Sequence, residues 1–300
     1  MATTKNKERL EVLKTYKIYI GGQFPRTESG RYYVPVNKSG KKLGNLCLSS
    51  RKDLRDAIEI ARNAQPGWNG RAPFNRGQIL YRMAEMLEGR KAQFIDELML
   101  QDSTRQQATR EIDQSIDRLI YYAGWADKYQ QIISSVNAVS SAHFNFSVCE
   151  PMGVVGIIAP QNNSLLGLVS VMAPVIAGGN TSVIVASQHK PLCSVTFAEV
   201  LNSSDLPGGV VNILTGKPEE LIPWMADHLD ANAIIYCEKD PATIKSVEEK
   251  ASGNLKRVII YNKIDWKTDE AQSPYFIQDT QEIKTTWHPI EKTGSGGSKY

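Results

Sequence analysis

No apolar run in this 300-residue chain reaches the roughly 18 residues that a membrane span demands. Charge of one sign is also scarce: 35 lysines and arginines against 32 aspartates and glutamates leave a net charge of +3, with no clustered basic stripe. The first absence argues against a membrane protein, the second against a nucleic-acid partner. Only four cysteines occur, Cys47, Cys149, Cys193 and Cys237, with no CxxC spacing, so they read as buried free thiols. The four histidines, His143, His189, His228 and His288, form no HExxH or paired-ligand pattern, which leaves metal chemistry without support. No GxSxG elbow is present. The opening MATTKNKERLEVLKTYK mixes acids with its lysines and so resembles neither a secretory signal nor a transit peptide, making the cytoplasm the expected location. Glycosylation patterns at Asn162, Asn180 and Asn202 carry no weight in that setting.

What is present is a strong alternation of helix and strand. SRKDLRDAIEIARNAQPG starts with a capping box, Ser50 with Asp53, aligns Leu54, Ala57, Ile58 and Ala61, and meets a Pro66-Gly67 stop. Two more helices are expected over 74–89 and 104–130. Phe144, Phe146 and Val148 then alternate with polar residues as a half-buried antiparallel strand does, and 132–139 supplies a partner for a two-stranded ribbon. Beyond it, GVVGII, TSVIVA, GVVNIL, NAIIY and KRVIIY are separated by helical runs. Five buried strands in such alternation predict an α/β, doubly wound parallel sheet of Rossmann-like type, with an N-terminal helical layer. Residues 262–274 read as a polar loop around Trp266, DTQEIKTTWHPI as a last strand, and 291–300 as a flexible tail or appended remnant.

The stretch 150–191, EPMGVVGIIAPQNNSLLGLVSVMAPVIAGGNTSVIVASQHKP, resembles the cofactor-binding centre of aldehyde dehydrogenases. YIGGQF, IYYAGWADK, LPGGVVNILTG and LKRVII carry the same resemblance in the same order, over most of 17–262. The helix-rich first third looks most like the second, incomplete unit of a two-unit subfamily. The resemblance implies a cofactor-type domain from 1–131 and 150–262, and an antiparallel oligomerisation element from 132–149 and 275–290. It also implies that a catalytic domain bearing the nucleophilic cysteine is missing from this chain.

Several residues depart from what the resemblance implies. Where the family has Trp-Asn-Phe-Pro after Pro160, with an Asn that donates to the oxyanion, this chain has Gln161-Asn162-Asn163-Ser164. Asn162 alone is retained, and a local turn-bonding role for it is equally open. The family's Lys-Pro-Ser-Glu, which holds the adenosine ribose, is replaced by Val185-Ala186-Ser187-Gln188. Losing two charge-assisted hydrogen bonds at about 1.5 to 3 kcal/mol each moves micromolar binding toward millimolar. After Thr215-Gly216 stand Lys217-Pro218-Glu219-Glu220, whose acids repel a diphosphate. Phe-Thr-Gly-Ser is replaced by Tyr236-Cys237-Glu238-Lys239, although Asp240-Pro241 still starts a helix. The activating glutamate after RVII is replaced by Tyr261, and a tyrosine of pKa about 10 is a poor base at neutral pH. Cys237 is the last cysteine and reads as a core thiol.

The sequence therefore predicts no catalytic or metal residues, with Asn162, Ser187 and Gly216 as vestigial cofactor candidates. NAD or NADP binding is disfavoured. The leading expectation is an inactive structural or regulatory subunit, forming a homo-oligomer or docking on a catalytic aldehyde dehydrogenase subunit through the exposed strands. The strands could instead close the domain on itself. Two alternatives remain open: an NAD(P)-binding component whose partner supplies the thiol, and a small-molecule sensor using the remodelled crevice.

Overall fold

The computed structural model describes residues 12–290. Three short strands open it, β1 (Thr15–Tyr16), β2 (Tyr32–Tyr33) and β3 (Asn45–Cys47), with β3 central. Four long helices follow: α1 (Arg51–Asn69), α2 (Pro73–Gly89), α3 (Lys91–Leu100) and α4 (Arg105–Trp125). The reciprocal Ser50–Asp53 capping box is formed as expected. The Pro66-Gly67 stop is not obeyed. The helix runs on to Asn69 with Pro66 inside it, because the turn beyond delivers Trp68, 1% exposed, into the core, where its Nε1 donates to Ile176 O at 2.9 Å. That burial offsets the backbone bond a proline removes.

The expected helix over 104–130 is broken. It ends at Trp125, and the chain restarts as α5 (Tyr129–Ile133). The break turns Tyr129 inward to 1% exposure, while Lys128 Nζ donates back to Gly124 O near the end of α4. Helix α3 was not anticipated; it buries Phe94, Ile95 and Leu98 on one face.

Next come β4 (Ser135–Asn137) and β5 (His143–Pro151), and then the α/β unit: β6 (Val154–Ile158), α6 (Leu166–Ala177), β7 (Thr181–Val185), α7 (Leu192–Asn202), β8 (Val211–Leu214), α8 (Pro218–Asp227), β9 (Ala233–Tyr236), α9 (Pro241–Ser252) and β10 (Arg257–Ile260). The five strands form one parallel sheet in the order β10-β9-β6-β7-β8. Strands β6 to β9 are buried throughout, so their continuous Val/Ile/Ala pattern reflects a sheet covered on both faces. One core joins the sheet to α6, α7 and the N-terminal helices; the other joins it to α1, α8 and α9. Helix α6 has every residue buried, since it lies between the sheet and helices α2 and α4.

After β10 the chain crosses 262–274, makes the short helix α10 (Tyr275–Gln278), and ends in β11 (Gln281–Pro289). The crossing is pinned rather than loose: buried Arg118 of α4 donates to the carbonyls of Trp266, Thr268 and Ala271. Strand β11 pairs antiparallel with β5, and β5 with β4, as a separate three-stranded sheet of order β11-β5-β4. Asn180, fully buried, ties this sheet to the main one. Its Oδ1 accepts Gly153 N at 2.9 Å, and its Nδ2 donates to Thr280 O and Oγ1 at 3.0 and 3.2 Å.

Candidate functional site

Strand β6 has β7 on one side and β9 on the other, so the chain reverses direction across the sheet between β6 and β9. In open α/β sheets the crevice beyond the carboxyl ends at such a point is where ligands sit. The turn after β6 occupies that crevice. Gln161 N donates to Glu238 Oε1, from the turn after β9, at 2.7 Å. The Gln161 side chain folds back, with Nε2 donating to Ala159 O at 2.8 Å and Oε1 accepting Gln188 N at 2.8 Å. Ser187 Oγ donates to Gln161 O at 2.8 Å and accepts Lys190 N at 3.0 Å. The three βα turns beside β6, β7 and β9 are thus clasped to one another.

Among the sequence candidates, Ser187 lies within this clasp and is 2% exposed. Asn162 is adjacent but exposed, and its Oδ1 accepts Asn163 Nδ2 at 2.6 Å. Gly216 lies apart, beyond β8: at φ +149 its Cα hydrogen faces Ser49 N, which a Cβ would approach to 3.1 Å. Neighbouring Thr215 fixes that corner by donating to Cys47 O at 2.7 Å and accepting Ser49 N at 2.9 Å. Val185 and Ala186 are fully buried at the end of β7, with Val185 in register between Ile158 and Leu214.

The helix starts around the crevice hold carboxylates of the chain itself. Asp240 caps α9 by accepting Ala242 N and Thr243 N at 3.2 and 3.3 Å, and the Thr243 hydroxyl together with these amides holds its carboxyl below the usual range. Glu111, reaching from α4, accepts Leu165 N and Leu166 N at 3.0 and 3.3 Å at the start of α6. Glu219 and Glu220 occupy the first turn of α8. An approaching diphosphate would meet negative charge at Asp240 and Glu111, while Glu220 is paired with Arg31 and Lys217. Sequence reasoning missed Glu111, whose contact spans 54 residues and leaves no local signature.

The cysteines and the tyrosine that stands in place of the activating glutamate are withdrawn from solvent. All four cysteines are buried, and burial pushes the Cys149, Cys193 and Cys237 thiols up, well up for the last two. Tyr261 donates its hydroxyl to Asp279 Oδ2 at 2.6 Å, and burial together with that carboxylate drives its pKa far above the usual value. Among the described residues there is no cluster of three or more His, Cys, Asp or Glu that could hold a metal, and no helix long and apolar enough to cross a membrane. An open groove of about 690 Å³ lies elsewhere, between the start of α1 and the end of α8, where Arg51 stacks 3.7 Å from the Trp224 ring centroid.

The aldehyde dehydrogenase family model matches residues 25–261. The chain belongs to the aldehyde dehydrogenase family. Cytosolic 10-formyltetrahydrofolate dehydrogenase of Xenopus tropicalis is 31% identical over 264 residues, covering 85% of this chain and 29% of that protein. D-glyceraldehyde dehydrogenase (NADP(+)) of Thermoplasma acidophilum is 29% identical over 249 residues, covering 81% of this chain and 49% of that one. A solved aldehyde dehydrogenase from Bacillus cereus, in complex with NAD+, superposes with a TM-score of 0.77 at 25% identity, covering 82% of this chain and 50% of its own. The chain thus spans half or less of the length of these relatives. Its five-stranded sheet and flanking helices are the Rossmann-like, NAD(P)-binding fold of aldehyde dehydrogenases.

Proposed function

We propose that this chain is a non-catalytic member of the aldehyde dehydrogenase family that acts as a structural or regulatory subunit, assembling through its three-stranded sheet. The observation that carries the reading is the clasp at the switch point, where Glu238, Gln161, Ser187 and Gln188 satisfy one another across the place a dinucleotide would take. NAD and NADP do not fit this arrangement. Opening it would break the three hydrogen bonds that join the turns and bring a diphosphate against Glu238 and the Asp240 cap. The sheet supports the assembly half of the reading. Among the described residues, strand β11 forms an outer edge nine residues long, most of its side chains are exposed, and such edges template association.

Purified alone, the full chain is expected to show no NAD- or NADP-dependent oxidation across an aldehyde panel, and no calorimetric heat with either nucleotide at millimolar concentration. Native co-purification from the source cell is expected to recover it within an assembly. Robust turnover by the isolated chain defeats the reading, and micromolar nucleotide binding replaces it with that of a cofactor-bearing component.

A further inference from the structure

The geometry of β11 points to a specific partner for this sheet: a second copy of the same chain, paired β11 to β11 antiparallel about a two-fold axis through Thr285. The inference rests on the assembly reading above and names its occupant. Its first support is the phase of the backbone. Met152 N donates to Thr280 O at 3.3 Å and Ile290 N to Ala142 O at 2.9 Å, so the two ends of the β5–β11 ladder place even-numbered residues in hydrogen-bonded pairs. Because such pairs alternate, the odd-numbered residues Gln281, Ile283, Thr285 and Trp287 turn their N–H and C=O outward.

A two-fold axis at Thr285 brings these outward groups together. Thr285 meets Thr285 of the copy, Ile283 meets Trp287, and Gln281 meets Pro289. Proline has no N–H to offer the outward Gln281 carbonyl, but Arg257 Nη1 already donates to that oxygen at 2.8 Å. The side chains fit the same register. Ile283 and Trp287, 53% and 57% exposed, become directly opposed apolar pairs on one face, with Thr285 against Thr285 between them. On the other face Glu282 lies opposite His288, and Lys284 opposite Thr286.

Neighbouring registers are poorer. An axis at residue 284 sets Lys284 against Lys284. One at residue 286 sets Lys284 against His288 and Ile283 against Pro289. One at residue 283 gives a favourable Glu282–Lys284 pairing but leaves Trp287 outside the paired strands. Only the axis at Thr285 uses all nine residues of β11 without a like-charge pair. The product is a continuous six-stranded sheet, β4-β5-β11 followed by its two-fold copy, in which neither β11 edge remains open.

Sedimentation of the purified full chain tests this. The wild type is expected to run as a species of twice its 33.3 kDa. Ile283→Lys combined with Trp287→Lys opposes lysines across the axis and is expected to give monomer; Ile283→Glu combined with Trp287→Glu does the same with acids. Mixing the two double variants is expected to restore a one-to-one dimer, because each lysine then faces a glutamate, and that rescue excludes misfolding as the cause of the loss. A monomeric wild type, a cationic double variant that stays dimeric, or a mixture that remains monomeric overturns the pairing. A wild type that is monomeric alone yet co-purifies with a catalytic family member overturns the self-pairing and leaves the assembly reading standing.

Discussion

Asn180→Ala isolates the joint between the two larger sheets. The side chain is fully buried and makes three contacts, yet removing it does not orphan three groups. Thr280 O still accepts Met152 N and Gln281 Nε2, both at 3.3 Å, and Thr280 Oγ1 still donates to Ile277 O at 3.2 Å. Gly153 N has no second acceptor among the described hydrogen bonds, so it bears the loss. An unmet buried donor costs about 1–3 kcal/mol. The small cavity adds to this, giving an expected total of about 2–4 kcal/mol. Urea unfolding followed by circular dichroism measures the change. Native-state hydrogen exchange should localise the weakening to Gly153 and the first residues of β11, with β7 and β8 left protected. A loss below about 1 kcal/mol, or a uniform rise in exchange across the parallel sheet, refutes the assignment of Asn180 as the tie between the sheets.

Three further outcomes are expected. Glu97 is buried, accepts Thr196 Oγ1 at 2.8 Å and Tyr16 Oη at 3.2 Å, and leaves Oε2 unpartnered; burial raises its pKa above 4.5. Wild-type stability should therefore fall as pH rises from about 4.5 through that raised value, because the folded state holds the proton longer. Glu97→Gln should abolish this part of the pH dependence, measured as urea midpoints across pH 4.5–8, and an unchanged profile contradicts it. Lys256 behaves in the opposite sense. It donates to Met225 O and His228 O at 3.0 and 2.7 Å, and burial brings its pKa from 10.5 down to about 8. Between those values the unfolded chain holds a proton that the folded one has lost, so stability rises with pH, and Lys256→Met should flatten that rise in urea midpoints taken across pH 8–10.5. Gly208→Ala would set a Cβ 2.5 Å from Gly21 O, a backbone atom that cannot swing aside, and should cost about 1–3 kcal/mol. A neutral result in urea unfolding rules out that close approach.

The parallel sheet was legible because its strands are short, β-branched and separated by helical runs, and burial on both faces leaves no polar alternation to confuse the period. The β4–β5 ribbon and β11 were legible from the two-residue alternation in β5 and a distinct closing strand, but the faces are inverted: Phe144 is 47% exposed, whereas Asn145 and Cys149 are 2% exposed. Helix α3 escaped notice because its N-cap is Arg90, with no side-chain cap to announce a start. Strands β1 to β3, at two or three residues each, fall below any periodic signal. At the site, the substitutions at 185, 186 and 188 stood out against the family pattern. What they are replaced by did not, because the clasp joins Gln161 to Glu238 across 77 residues and to Gln188 across 27. Sequence spacing carries no information about such a meeting until the sheet brings the turns together.

The pairing of β5 with β11 sets an order on folding. Residue 151 is matched to residue 281, so every strand of the parallel sheet lies inside the loop that this ladder closes. Closing a loop of that length before its interior is organised forfeits entropy with little return, so the ladder forms after the parallel sheet has brought its two ends together. Until β11 emerges during synthesis, β5 presents an unpaired edge beside Phe144 and Phe146. The edge of β5 is therefore covered only once β11, the last described strand, is made.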